Sequence, residues 1–180
     1  MKKIKIVALV GKSGSGKTHA SFIMSWKYYS KFHTIVSFTT RPMRAGEAQG
    51  RDHWFVSPNQ VPPQSEMAAY TVYGGYEYWT TWDQFIDKLY NVYVIDEKGL
   101  VDLIDKPNFK ERVELIKVKI ARPGLDGIAD ERTLRDAQRQ ELEDSFYDYV
   151  VTNDHSLKDF EKLIFVLCNR IIEKEKWQHQ

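Results

Sequence analysis

The chain has 180 residues, enough for one domain with a sizeable core and short for two. Hydrophobic residues make up 42% and charged residues 28%, which excludes a disordered chain, and the single Cys168 excludes an intrachain disulfide framework or a cysteine-based zinc site. The net charge of +1 conceals an asymmetry: residues 1–51 carry ten Lys/Arg against one acid, Glu47, while residues 52–180 carry 16 against 24.

Met1-Lys2-Lys3 resembles the start of an export signal. The apolar stretch 6–10 is too short for one and runs into Gly11-Lys12, so the chain is expected in the cytoplasm. Residues 4–10, IKIVALV, read as a strand buried on both faces, as parallel strands are. A helix is predicted over 18–30 and a second strand over 33–38. Residues 39–82 break the rhythm with Arg, Pro, Gly and many aromatics. Short strands are predicted there at 52–56, 69–73 and 76–80, the last two turning at Gly74-Gly75. Further strands follow at 91–96, 114–121 and 147–152, with helical patterns at 99–105 and 129–145. The last helix starts near Ser156, with Ser156-x-x-Asp159 as a capping box. Its apolar stripe is Leu157, Phe160, Leu163, Ile164, Leu167 and Ile171.

Alternating strands and helices predict one α/β domain over 1–180, with a five-stranded parallel sheet flanked by helices. Its core is expected over 1–38 and 83–180, with 39–82 as a small β insertion. The longest apolar run, 163–168, is far below a membrane span, so no membrane partner is expected. The five histidines lack a metal-ligand spacing. Basic residues cluster in two short motifs and not along one helix face, which favours a localised anionic ligand over nucleic acid.

The first motif is Gly11-Lys12-Ser13-Gly14-Ser15-Gly16-Lys17-Thr18, which fits G-x-x-x-x-G-K-[ST] at each fixed position. Its glycines let backbone N–H groups turn inward as an anion nest, and the following helix adds its N-terminal dipole. Lys17 is expected to reach the β- and γ-phosphates of a nucleoside triphosphate, and the Thr18 hydroxyl to bind Mg²⁺. Asp96, ending a predicted strand, is either the acidic partner of that metal or a plain turn residue. The second motif, Ser37-Phe38-Thr39-Thr40-Arg41-Pro42-Met43-Arg44-Ala45-Gly46-Glu47, sets two arginines three residues apart after a strand. That spacing suits a phosphate monoester, or else a solvated basic loop.

The stretch VSFTTRPMRAGEAQGRDHWFVS resembles V-S-x-T-T-R-x-x-R-x-G-E-x-x-G-x-D-Y-x-F-V-S of the guanylate kinase family. The resemblance continues in Gly75-Tyr76-Glu77-Tyr78-Trp79-Thr80, in Ile95-Asp96-Glu97-Lys98-Gly99, and in Tyr147-Asp148-Tyr149-Val150-Val151-Thr152-Asn153-Asp154. The matches run in the family's order over about residues 4–172. The resemblance implies a P-loop kinase with a core, an acceptor-binding β insertion and a lid. It implies transfer of phosphate from ATP to GMP with Mg²⁺; the acceptor is expected to be GMP or dGMP, and the chain a monomer or homodimer. Arg41 and Arg44 would clamp the acceptor phosphate with Tyr78. Ser37 and Thr80 would face the acceptor base. Asp96 would sit near acceptor and metal, and Asn153 beside the adenine. The peptide-binding modules similar to this family have lost the phosphate loop, which is intact here.

Three departures from the pattern stand out. The family's Tyr in G-x-D-Y, a phosphate ligand, is His53. The family reads guanine with a Glu six residues before the Gly75 position, where this chain has Ala69. Glu66 is three residues off, on the wrong strand face unless a bulge intervenes. Another (deoxy)nucleoside monophosphate is therefore the rival acceptor. The lid, about 122–135, is short: Arg122 leads to Arg132 and Arg135, which are either phosphoryl-stabilising groups or surface charges. The aromatics of the insertion are expected to form its own small core, and Cys168 to pack.

Overall fold

The computed structural model describes residues 3–87, 89–124 and 141–177. Strand β1 (Ile4–Val10) is buried at six of its seven positions. It lies at the centre of a five-stranded sheet with β2 (Phe32–Ile35), β7 (Tyr90–Val94), β8 (Val113–Ala121) and β9 (Tyr149–Thr152). The order is β2-β7-β1-β8-β9, and each neighbouring pair is parallel. The alternation of β1 decides what each face does. Val7 and Leu9 join Ala20, Ile23 and Met24 of helix α1 (Lys17–Lys27), and Phe160, Ile164 and Ile171 of the C-terminal helix α4 (Leu157–Trp177). Ile6, Ala8 and Val10 join Leu100 and Leu103 of α2 (Glu97–Ile104) on the other face, with Phe109 of the short α3 (Phe109–Arg112). Each fully buried Ile, Leu or Val contributes about 1.5–3 kcal/mol.

A second sheet has the order β4-β3-β6-β5. Its strands are β3 (Phe38–Thr39), β4 (Trp54–Phe55), β5 (Met67–Tyr73) and β6 (Tyr76–Thr81). The predicted strand 33–38 thus divides. The main-sheet strand ends at Ile35, and Phe38 crosses to the second sheet, where its ring stacks on Trp79 at 5.6 Å. Trp79 is buried, and Phe38 also meets Trp54, so these aromatics form a local core as their sequence density suggests.

Other expectations change at the ends of elements. Of the helix predicted over 129–145, residues 129–140 lie outside the described residues; its far end is a single 3-10 turn, Asp144–Phe146. In α4, Leu157 is 61% and Leu163 41% exposed, while Cys168 takes a place in the buried stripe. Leu157 stands at the helix end, and Leu163 at the edge of the buried arc. Burial pushes the Cys168 thiol up to about 12, as suits a packing residue. The start of α4 is capped as expected: Asp159 N donates to Ser156 Oγ at 3.2 Å, and that hydroxyl donates to Asp159 Oδ2 at 2.6 Å.

Asn91 is the fully buried polar residue of β7. Its Nδ2 donates to the carbonyls of Lys5 at 3.0 Å and Ile86 at 3.1 Å, and its Oδ1 accepts from Ile86 N at 2.8 Å. It thereby ties the chain before β7 to the sheet. Asn91→Leu is expected to lower the unfolding free energy by about 1–3 kcal/mol for each backbone group left unpaired. Urea unfolding followed by circular dichroism checks this, and an unchanged midpoint would contradict it.

Candidate active site

In an open parallel sheet the strands' carboxyl ends form the ligand-binding edge. Here the carboxyl ends of β1 and β7 open into a cavity of about 330 Å³, whose far wall is the second sheet. One side is the phosphate loop, through Gly11, Ser13, Gly14, Lys17 and Thr18. A second side is Tyr93, Val94, Ile95 and Asp96. The far wall holds Ser37, Arg41, Arg44, Glu47, His53, Thr71, Tyr73 and Tyr78.

The phosphate loop turns into α1 at Gly16, whose φ of 108° and ψ of 8° place it in the left-handed region. A Cβ there would lie 2.9 Å from Asn153 Nδ2. Asn153 packs on the loop and donates to the Ser15 carbonyl at 2.9 Å. Lys17 Nζ straps the loop from within, donating to the carbonyls of Gly11 at 2.6 Å and Lys12 at 2.8 Å. The Ser15 hydroxyl is fully buried and has no hydrogen-bond partner among the described residues. Arg122 Nη1 donates to the Gly14 carbonyl at 3.1 Å, so the start of the predicted lid touches the loop. Arg132 and Arg135 lie outside the described residues.

Asp96 follows β7 in extended conformation and caps α2, its Oδ1 accepting from Gly99 N at 2.6 Å. The turn role is thus realised, while the residue also lines the cavity with Thr18. A hydroxyl and a single carboxylate suit Mg²⁺, which keeps several waters and takes phosphate oxygens as further ligands.

Arg41 is 5% exposed and heavily engaged. Its Nη1 and Nη2 donate to the two carboxylate oxygens of Glu47 at 3.0 and 2.9 Å. Nη1 also donates to the Pro42 carbonyl at 2.8 Å, and Nε to the Tyr78 hydroxyl at 3.2 Å. Glu47 further accepts from Arg44 N at 2.8 Å, which fixes the turn between the two arginines. Burial alone would lower the Arg41 pKa; the bonds to Glu47 and Tyr78 outweigh it and raise it. Burial likewise raises the Glu47 carboxyl, but Arg41 and the Arg44 N–H hold it below the usual range. His53 Nδ1 lies 2.9 Å from Ser37 Oγ, and its ring meets Tyr78 edge-on at 5.6 Å. Burial first, and then the Arg41 charge, depress the His53 pKa, so the ring is neutral at pH 7.

The base-facing expectations need correction. Ala69 does not line the cavity: it is 1% exposed and packs in the apolar cluster that includes Tyr93. A bulge does fall between Met67 and Ala69, yet Glu66 stays exposed in the 3-10 turn Gln64–Glu66 before β5. Thr80 is fully buried and is not on the cavity lining; its Oγ1 donates to the Tyr93 hydroxyl at 3.2 Å. Burial raises the Tyr93 pKa far above its ordinary value, so that hydroxyl stays protonated. Thr71, Tyr73 and Tyr93 line the wall instead; Tyr73 is one of the insertion's aromatics that could stack on a base, whereas Thr71 and Tyr93 are not expected there from the sequence. Strand alternation from residue 69 carried the signal for the first two. No local pattern marked Tyr93.

Comparisons with known proteins agree with this architecture. A family model described as guanylate kinase matches residues 3–95. The chain is 28% identical over 188 residues to guanylate kinase of Chlamydia felis, covering 90% of this chain and 87% of that protein. It is 32% identical over 168 residues to guanylate kinase of Novosphingobium aromaticivorans, covering 81% and 73%. It is also 26% identical over 176 residues to Protein lin-2 of Caenorhabditis elegans, covering 89% of this chain but 18% of that protein. Among solved structures, guanylate kinase from Anaplasma phagocytophilum shares the fold with a TM-score of 0.64 at 19% identity, covering 96% of this chain and 87% of that one. With a family model spanning more than half of its length and a relative above 30% identity along most of it, the chain belongs to the guanylate kinase family.

Proposed function

We propose that this chain transfers the γ-phosphoryl group of ATP to the phosphate of a nucleoside monophosphate, GMP or dGMP, giving two diphosphates. One observation carries the reading: the phosphate loop and the Arg41, Arg44, His53 and Tyr78 wall border the same cavity. A donor triphosphate on the loop and an acceptor monophosphate on the wall would face each other across it.

Phosphoryl transfer needs little covalent chemistry from the protein, so catalysis is positioning and charge stabilisation. Gly11, Ser13, Gly14, Ser15, Gly16 and Thr18 would cradle the donor phosphates through backbone N–H groups. Lys17 would exchange its loop carbonyls for the β- and γ-oxygens. Arg44, the remaining Nη2 N–H of Arg41, Tyr78 and His53 would hold the acceptor phosphate. Ser37 would shape the base end, with Thr80 acting only through its hydrogen bond to the Tyr93 hydroxyl, and Asn153 would shape the adenine side. Thr18 and Asp96 would hold Mg²⁺, which when bound neutralises phosphate charge. Arg132 and Arg135 would add positive charge at the transferring group, with Arg122 beside the loop. The enzyme would act in the cytoplasm as a monomer or homodimer; among the described residues no helix is long and apolar enough to cross a membrane.

An ADP-release assay across GMP, dGMP, AMP, CMP, UMP and dTMP tests the reaction. Lys17→Ala is expected to abolish transfer while leaving the fold intact, and wild-type turnover in that variant would overturn the reading. Arg44→Ala removes a charge-assisted donor worth about 1.5–3 kcal/mol, so monophosphate affinity should fall roughly tenfold or more. Calorimetric titration should show an unchanged ATP analogue affinity. Arg41→Ala should do the same and also lower stability, because Glu47 loses its partner.

His53 gives a pH signature. Its folded pKa lies below the unfolded value of about 6.5, so the unfolded state binds more protons between the two. Stability is then lost as pH falls through about 6.5, and the loss levels off below the folded pKa. Arg41, Glu47 and Asp52 are the charged groups acting on the ring. His33, also depressed by burial, adds a slope of the same sign. His53→Gln is expected to flatten the acid-side fall in unfolding free energy; denaturant titrations between pH 5 and 7.5 check it.

A further inference from the structure

Strand alternation sends residues 69, 71 and 73 of β5 to one face. Thr71 pairs with Tyr78 across the hairpin. Thr71 belongs to the cavity lining although the residue is only 7% exposed. Its Oγ1 has no hydrogen-bond partner among the described residues. Buried polar groups are almost always paired, so an unpaired hydroxyl on a ligand wall indicates a ligand atom as the missing partner. Valine has the same shape and suits a strand as well, so packing alone does not call for a hydroxyl here.

Several neighbouring polar groups on this wall are already engaged. Ser37 Oγ is within 2.9 Å of His53 Nδ1, and the Tyr93 hydroxyl accepts from Thr80. Both Glu47 oxygens take N–H groups of Arg41. Tyr78, at the phosphate end, is the cross-strand partner of Thr71, and Arg41 donates to the Tyr78 hydroxyl. A monophosphate held there would extend its base along the wall past Thr71 toward Tyr93.

Resting on the kinase reading above, we propose that Thr71 Oγ1 is the hydrogen-bonding reader of the acceptor base, in a pocket whose polar edge is hydroxyl and not carboxylate. A hydroxyl both donates and accepts, so it serves the N–H edge of guanine and the ring nitrogen of adenine alike. The pocket therefore takes purine monophosphates with a modest preference between them. A carboxylate accepts only, and would favour guanine strongly.

The test uses calorimetric titration of GMP and AMP, without ATP, into wild type, Thr71→Val and Thr71→Ser, with melting temperatures for each. One neutral hydrogen bond corresponds to about three- to tenfold in affinity. Thr71→Val is expected to weaken both monophosphates by that factor and to leave ATP-analogue affinity and melting temperature unchanged. Thr71→Ser should restore binding. Monophosphate affinity in Thr71→Val equal to wild type overturns the proposal, as does a loss that Thr71→Ser fails to rescue. A wild-type preference of 10⁴-fold for GMP over AMP also overturns it. If wild type binds no monophosphate, the kinase reading fails first. If wild type turns over GMP and only the Thr71 results fail, that reading survives alone.

Discussion

Burial of β1 on both faces is the constraint on which the rest of the molecule depends. Ile6, Val7, Ala8, Leu9 and Val10 are all fully buried, and each neighbouring strand runs parallel to β1. A parallel strand buried on both faces must be followed by a crossover, and the first crossover here is the phosphate loop with α1. The loop is therefore anchored on the least movable part of the sheet. Its own polar ties are local in comparison: Lys17 draws backbone carbonyls together, and Asn153 and Arg122 each donate to one more. Rigid placement of the donor site follows from the hydrophobic core beneath it, in which Met24 and Phe160 close the same face.

The acceptor wall is built on a different principle. Its main polar connection is the bidentate pair of Arg41 and Glu47, which also recruits Arg44 N and Tyr78. Such a buried pair contributes little net stability, because desolvation of both charges offsets their attraction. What it supplies is geometry. The turn after β3 is held so that Arg41 and Arg44 border one cavity. The cost is that most of the Arg41 fork is occupied. The acceptor phosphate would meet one guanidinium already neutralised by Glu47, and Arg44 as the second cation.

The main sheet was legible because its strands are apolar runs bounded by loop residues, and the phosphate loop because its spacing is dictated by backbone geometry. The ends of elements were less legible. Phe38 reads as a continuation of 33–36 by composition, but stacking on Trp79 draws it into the other sheet. Leu157 and Leu163 have the right period yet stand outside the buried arc, since periodicity does not tell where a helix runs past its partner. At the site, the resemblance directed attention to residue 69, and the structure buries that alanine among apolar neighbours. Thr71 could be found by counting two residues on. Tyr93 could not, because it reaches the wall from another sheet.

Charge sets a final condition on the site. Among the described residues, the lining carries three cations, Lys17, Arg41 and Arg44, against Glu47 and Asp96, with His53 neutral. Two terminal phosphates brought together carry about −1.5 to −2 each. One net positive charge does not balance them, and bringing them within reach in a partly buried cavity is strongly opposed. Further positive charge must arrive with the substrates or from beyond the wall. Magnesium supplies part of it in the proposed reaction. Arg122, already on the Gly14 carbonyl, stands directly after β8 beside the phosphate loop. Joining the two phosphates therefore depends on charge that the cavity wall does not itself carry.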